Sequence, residues 1–254
     1  MKSNKNKMAK KMRIWIINAS PRSENDCPQE KSKSQIIAEY MAKIARKNAE
    51  VYLTNLYDAA NIGPCKGCVS TVLSLCHYPC DCYPDVDYPN DPMKEFFKIG
   101  EKADAIIFVT PVHWWSFSTD LSAFLGRLNC VDVGRPNAKG KDKNFEIKLM
   151  NSGKKYPVKH WAGKIAGVYT ISESTTGAAE PLAMALNHMG FWIPPHCISE
   201  QIIGADIPYH EHNKALDKNY CAWNAAKTIV ENVIESVKLV KGKKLKPTDA
   251  KCLK

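Results

Sequence analysis

Two hydrophobic periods alternate along this chain. Arg13–Asn18 is a short apolar run, and Ser34–Lys47 then sets Ile36, Ile37, Tyr40, Met41 and Ile44 at the three- and four-residue spacing of one helix face. The pattern predicts a strand followed by a helix. Glu50–Asn55 reads as a second strand, and a cysteine- and proline-rich irregular stretch follows from Ile62 to Pro92. Met93–Glu101 is expected to be a helix. Ala103–Thr110 is the continuous apolar run of a central parallel strand, covered on both faces, and Leu121–Leu128 starts the next helix. Lys164–Thr170 reads as a fourth strand and Ala178–Met189 as a helix closed by Gly190. Phe191–Ser199 reads as a fifth strand despite its prolines, and Leu216–Leu239 as a long closing helix.

Five strands joined by helices, with candidate ligand loops after the first, third and fourth, fit an α/β fold. The expected architecture is the flavodoxin-like doubly wound five-stranded parallel sheet of order 2-1-3-4-5, carrying a cysteine-rich loop and an insertion. Residues 129–160 are polar without a clear period and are assigned to that insertion. The domain runs over 13–240, between basic tails at 1–12 and 241–254. A dinucleotide-binding Rossmann domain would need a glycine-rich turn after the first strand, whereas this chain has Asn18-Ala19-Ser20-Pro21-Arg22 there.

Composition changes little of this. The 254 residues, 44% of them hydrophobic, can bury a sizeable core. The net charge of +10 first suggests nucleic acid, but residues 1–13 and 238–254 each carry +6, which leaves −2 for the body between them. Lysine-rich ends of this kind read as solvated tails, so no nucleic-acid partner is expected. No segment approaches the roughly 18 apolar residues of a membrane span, and Ile14–Ile17 is too short for a signal-peptide core. Ten cysteines in a long chain with its own core and no secretory signal fit reduced thiols in the cytoplasm.

Chemistry gathers at the strand ends. After the first strand, the hydroxyls of Ser20, Ser23 and Ser34, the guanidinium of Arg22, the ammonium of Lys33 and the amides opening the next helix can converge on one phosphate dianion. The competing reading is that Ser34 merely caps its helix and Ser20-Pro21 makes a turn. After the third strand, Pro111-Val112-His113-Trp114-Trp115-Ser116 offers flat rings and backbone amides where an open α/β sheet binds its ligand, which suits a flat heterocycle. Against that, large aromatics often roof a core, and a lone histidine is more often satisfied by structure than catalytic.

Taken in order, Asn18–Arg22, Ser32-Lys33-Ser34, the Thr110–Trp115 loop before Leu121–Leu128, and Ala185–Phe191 resemble the NAD(P)H-dependent FMN reductase family, relatives of the iron–sulfur flavoproteins. The resemblance implies that Ser20, Arg22, Lys33 and Ser34 hold the FMN phosphate, and that Pro111, Val112, His113, Trp114, Trp115 and Ser116 lie under the isoalloxazine. Thr170, Ser172, Glu173 and Gly177 match the third loop, which closes over the ring. It further implies that NAD(P)H reduces FMN, which passes electrons to a quinone, a nitro- or azo-aromatic compound or free flavin, with no obligatory protein acid or base. Relatives assemble as homodimers or homotetramers. The chain departs from the family in a longer segment between Arg22 and Lys33 and in lacking a lysine at Asp120–Ala123. The alternative function is an electron-transfer flavoprotein that meets redox partners.

Cys65, Cys68, Cys76, Cys80 and Cys82 form a second constellation, five thiols within eighteen residues. They can ligate zinc or an iron–sulfur cluster, cycle a disulfide, or knit a long loop. The compact cluster motif of iron–sulfur flavoproteins needs sulfur where this chain has Thr71, so the metal-free readings are favoured. Cys27, Cys130, Cys197, Cys221 and Cys252 read as structural.

Overall fold

A computed structural model describes residues 11–59, 62–70, 76–80, 82–83, 90–136, 160–208 and 211–241. In chain order the first elements are β1 (Arg13–Asn18), α1 (Lys33–Ala45), β2 (Glu50–Asn55), β3 (His77–Tyr78), α2 (Met93–Lys102), β4 (Ala105–His113), β5 (Ser116–Phe117) and α3 (Thr119–Arg127). There follow α4 (Asn129–Val133), β6 (Arg135–Pro136), β7 (Ile165–Ser172), α5 (Ala179–His188), β8 (Ile198–Ile202), α6 (His212–Lys218) and α7 (Tyr220–Val240). The main sheet has the order β2-β1-β4-β7-β8, all parallel, with β5 folded back antiparallel on β4. Counting its five long strands, this is the predicted 2-1-3-4-5 arrangement.

The alternation of side chains on β1 explains why the sheet is covered on both faces. Trp15 and Ile17 point into a cluster with Phe96, Phe124, Leu182 and Phe191, whereas Ile14 and Ile16 point into one with Ile37, Met41, Val230 and Ile234. α2, α3 and α5 therefore pack on one side, and α1 and α7 on the other. Trp15 meets Phe124 edge-on at 5.8 Å and donates its indole N–H to Thr54 Oγ1 at 2.9 Å, so the ring is buried with its polar atom satisfied. Gly100 of α2 lets Trp161 approach closely: a Cβ there would stand 2.2 Å from the indole ring.

Several boundaries differ from the sequence reading. The fifth strand is Ile198–Ile202, not Phe191–Ser199, because Pro194 and Pro195 interrupt the earlier stretch, and only Trp192 makes a bridge there, to Ile165. The long closing helix is two helices, since Asn219 caps α7 by accepting from Ala222 N at 3.0 Å. α1 starts at Lys33 with Ser32 as its cap, which overturns the reading of Ser34 as the cap. The expected insertion opens with α4 and with β6, which pairs with β3, and residues 137–159 lie outside the described residues. Of the expected tails, 1–10 and 242–254 also lie outside, while Met12 is buried in the core. Among the described residues no helix is long and apolar enough to cross a membrane.

Candidate functional site

The carboxyl end of β1 is pinned before it becomes a loop. Ala19 N donates to Val109 O at 2.8 Å, and Asn18 Oδ1 accepts from Ser20 N at 3.2 Å. The buried Ser20 hydroxyl lies 3.2 Å from both the amide and the carbonyl of Arg22, which sets the turn from which the guanidinium leaves. At α1 the first intrahelical bond runs from Ile36 N to Ser32 O, and Ser32 Oγ takes the amide of Gln35. The amides of Lys33 and Ser34 therefore precede the helical ladder, with no acidic residue in the first turn. Ser34 Oγ is buried 3.2 Å from Ser32 Oγ. Lys33 Nζ donates to Ile203 O at 2.8 Å, across the sheet's carboxyl edge.

The loop after β4 is a tight hairpin. His113 pairs with Ser116, and the two residues between them, Trp114 and Trp115, both have positive φ, 50° and 57°. Such a turn normally takes Asn and Gly, so two tryptophans there hold a strained backbone. Their rings face solvent, with Trp114 88% exposed. They do not roof the core.

The third loop is organised by one carboxylate. Glu200 Oε1 accepts from Gly177 N at 2.7 Å, Ala178 N at 3.2 Å and Thr170 Oγ1 at 3.3 Å. Ser172 Oγ donates to Thr175 O within the loop. Gly177 has φ 105°, and the position of its missing Cβ is 3.6 Å from Trp115 O, so the second and third loops meet there.

A cavity of about 790 Å³ opens at the junction of these loops, within the size range of small-ligand sites. Ser20, Arg22, Lys33 and Ser34 line it together with Pro111, Val112, His113, Ser172 and Glu173. Trp114, Trp115, Ser116 and Gly177 lie outside its lining, and Thr170 is buried beneath it, engaged with Glu200. Sequence reasoning missed Glu30, Ser32, His212 and Asn213, which also line it. His212 Nε2 is 2.8 Å from Ile207 O and 3.8 Å from Glu173 Oε1, and Asn213 Nδ2 donates to Glu30 Oε2 at 2.8 Å. His212 and Asn213 arrive from α6, and no local pattern marks them.

Charge is unevenly spread in the cavity. Burial lowers the Lys33 pKa and the nearby Arg22 lowers it further, while Glu173 works the other way. Arg22 and Lys33 are thus held close together in a half-buried place, where a bound dianion would relieve their mutual repulsion. Partial burial likewise lowers the His113 pKa, which favours its neutral ring, and burial raises that of its neighbour Asp120. Buried hydroxyls, amides opening a helix and two cations form a donor set for a phosphate dianion. A neutral imidazole and apolar Pro111, Val112 and Ile171 suit an uncharged heterocycle beside it. The residues present fit FMN.

In the cysteine loop, Cys68 and Cys82 place their sulfurs 3.1 Å apart, Cys76 is buried and Cys65 exposed. Among the described residues no three His, Cys, Asp or Glu side chains converge as a metal site would require.

A family model described as NADPH-dependent FMN reductase matches residues 12–206. Three solved structures share the architecture. RosB with bound 8-demethyl-8-formylriboflavin-5'-phosphate is 15% identical with a TM-score of 0.64, over 91% of this chain and 81% of that one. The apo form of EMOB, an NADH:FMN oxidoreductase, is 17% identical with a TM-score of 0.52, over 89% of each chain. A flavodoxin, WrbA-like protein from Agrobacterium tumefaciens is 13% identical with a TM-score of 0.50, over 91% of this chain and 99% of that one. At these identities the likeness is one of fold. No curated protein matches the chain.

Proposed function

The chain belongs to the NADPH-dependent FMN reductase family, and on that premise we propose that it oxidises NAD(P)H through bound FMN and delivers the electrons to a quinone, a nitro- or azo-aromatic compound or free flavin. Membership implies FMN as the flavin and NAD(P)H as the hydride donor. The observation that carries the reading is a single cavity that joins the α1 N-terminus, Arg22 and Lys33 to Pro111, Val112 and His113. FMN in that cavity would supply the hydride-accepting ring and the one- and two-electron chemistry.

The chain's own residues do the rest. Arg22, Lys33, Ser20, Ser34 and the first amides of α1 bind and orient the phosphate through charge-assisted hydrogen bonds. His113, whose partial burial favours the neutral imidazole, would offer bound flavin one ring N–H and one ring acceptor without bringing a charge. Glu200 fixes the third loop by its three hydrogen bonds, which keeps Ser172 and Glu173 at the cavity wall. The exposed rings of Trp114 and Trp115 beside His113 offer a surface on which a flat acceptor or a nicotinamide can stack.

The test is reconstitution with FMN followed by nicotinamide oxidation with benzoquinone, a nitroaromatic, an azo dye and free FMN as separate acceptors. Tight binding of FMN and turnover with at least one acceptor are expected. Failure to bind FMN, or binding without nicotinamide oxidation, would overturn the reading, the second result pointing to an electron carrier.

A further inference from the structure

A buried cation outside the cavity has a partner that flavin chemistry does not use. Arg127, at the end of α3, is fully buried and forms an ion pair with the equally buried Asp91 carboxylate at 2.7 Å. Its Nε points away from Asp91 and donates to Cys80 Sγ at 3.3 Å. The guanidinium also lies over the Tyr83 ring, 4.3 Å from the centroid, so it is held in place from a third side. A sulfur facing a fixed guanidinium is stabilised as a thiolate, the nucleophilic form of cysteine.

The neighbouring thiols complete the arrangement. Contact with Cys82, together with Arg127, draws the Cys80 pKa down to about 6. The same contact, together with burial, pushes the Cys82 thiol up, so of the two it is Cys82 that keeps its proton. Cys82 Sγ is 3.1 Å from Cys68 Sγ, and a disulfide needs about 2.05 Å, so closing that pair takes a movement of roughly 1 Å. Among the described residues, buried Cys76 and Cys130 also lie close by. Cys130 donates to the Arg127 carbonyl at 3.3 Å, and burial keeps it protonated. Cys68, Cys80 and Cys82 are only partly buried, within reach of a small oxidant.

We propose that Cys80, Cys82 and Cys68 form a thiol relay that reacts with small hydroperoxides, Cys80 as the nucleophile and Cys68–Cys82 as the disulfide that stores the oxidation. The Cys80 thiolate attacks the terminal peroxide oxygen: an S–O bond forms, the O–O bond breaks, and the departing alkoxide or hydroxide takes a proton from water. The sulfenic acid at Cys80 is then attacked by Cys82, which loses its proton, forms the S–S bond and releases water. Cys68 attacks the Cys82 sulfur, forms the Cys68–Cys82 disulfide, gives its proton to solvent and returns Cys80 as thiolate. In sum, two thiols and one hydroperoxide give one disulfide, one alcohol and one water; a small dithiol resets the pair.

The experiment uses the full chain, reduced and then treated with one equivalent of hydrogen peroxide, with peptide mapping under non-reducing conditions. Loss of two thiols per chain as a Cys68–Cys82 disulfide is the expected result. Cys82→Ser should leave a sulfenic acid on Cys80 that dimedone traps, and Cys80→Ser should slow the oxidation at least tenfold. Oxidation spread evenly over exposed Cys27, Cys65 and Cys221 would overturn the relay, as would stoichiometric iron or zinc in the purified protein. The thiol readouts do not depend on bound flavin, so failure of the flavin assignment would leave them unchanged.

Discussion

The hydroxyl of Ser118 donates to the carbonyl of Ala19 at 2.5 Å, linking residues 99 positions apart. Ser118 is wholly buried, and its Oγ also accepts from Leu121 N at 3.3 Å, capping α3. One atom thus holds the turn that leads to Arg22 against the helix that follows the Trp114-Trp115 hairpin. Ser118→Ala removes a buried donor and a cap together. It should lower FMN affinity about fivefold, the equivalent of one net hydrogen bond, and lower the melting temperature by a few degrees. Flavin fluorescence titration and thermal unfolding check this; undiminished affinity would mean that the two loops are positioned independently.

Arg22→Ala and Lys33→Ala should each weaken FMN binding by roughly 10- to 150-fold, the range of one charge-assisted bond worth about 1.5–3 kcal/mol. Riboflavin, which lacks the phosphate, should bind each variant as it binds the parent. Equal loss for both ligands would show that these side chains shape the cavity without reading the phosphate.

The hairpin makes a different kind of prediction. Trp114 sits at φ 50°, a region that glycine enters freely and a residue bearing a Cβ does not. Trp114→Gly and Trp114→Ala both delete the exposed ring, so both should lose turnover with flat aromatic acceptors. The glycine variant should nonetheless be the more stable of the two, by about 1 kcal/mol. Steady-state kinetics with matched urea unfolding measures both effects; a more stable alanine variant would remove the case for strain.

Asp91→Ala leaves the Arg127 guanidinium buried without its carboxylate. Breaking such a pair costs about 3–5 kcal/mol, far above a surface ion pair. Calorimetry should record a large drop in melting temperature, whereas Glu95→Ala, which breaks the exposed pair with Lys98, should record almost none. Similar drops for the two would contradict the buried geometry.

Cys80 should alkylate with an unusual pH profile. Its thiol is drawn down to about 6, so the thiolate fraction, and with it the rate of iodoacetamide labelling, should rise through pH 6 and be level by pH 8. An unperturbed thiol would still be rising there, because its midpoint lies near 8.5. Site-resolved labelling by mass spectrometry separates the two cases.

What sequence made visible followed local rules. The helix face of Ile37 and Met41 was legible because it repeats the helical period, and the run before Thr110 because a continuous apolar stretch of that length fits a strand covered on both faces. Ser20, Arg22, Lys33 and Ser34 stood out because phosphate chemistry requires those groups beside a helix start, and they do line one cavity. The fifth strand was displaced because Phe191 and Ile193 are apolar for packing, while the strand itself begins beyond the prolines at Ile198. Ser32 won the cap from Ser34 by a backbone difference of two residues that composition does not encode. His212 and Asn213 were invisible for a stronger reason: they reach the cavity only through the fold, from a helix that follows the last strand.

The bond from Lys33 to the carbonyl of Ile203 spans 170 residues, and it sets a schedule for how the protein is made. The cavity walls come from residues as early as Ser20 and as late as Asn213, so no N-terminal fragment emerging from a ribosome contains a complete pocket. On the proposed site, FMN capture should therefore come late, after β8 and α6 are in place. A chain stalled before residue 203 would display the turn from Ser20 to Arg22 without the walls that His212 and Asn213 supply.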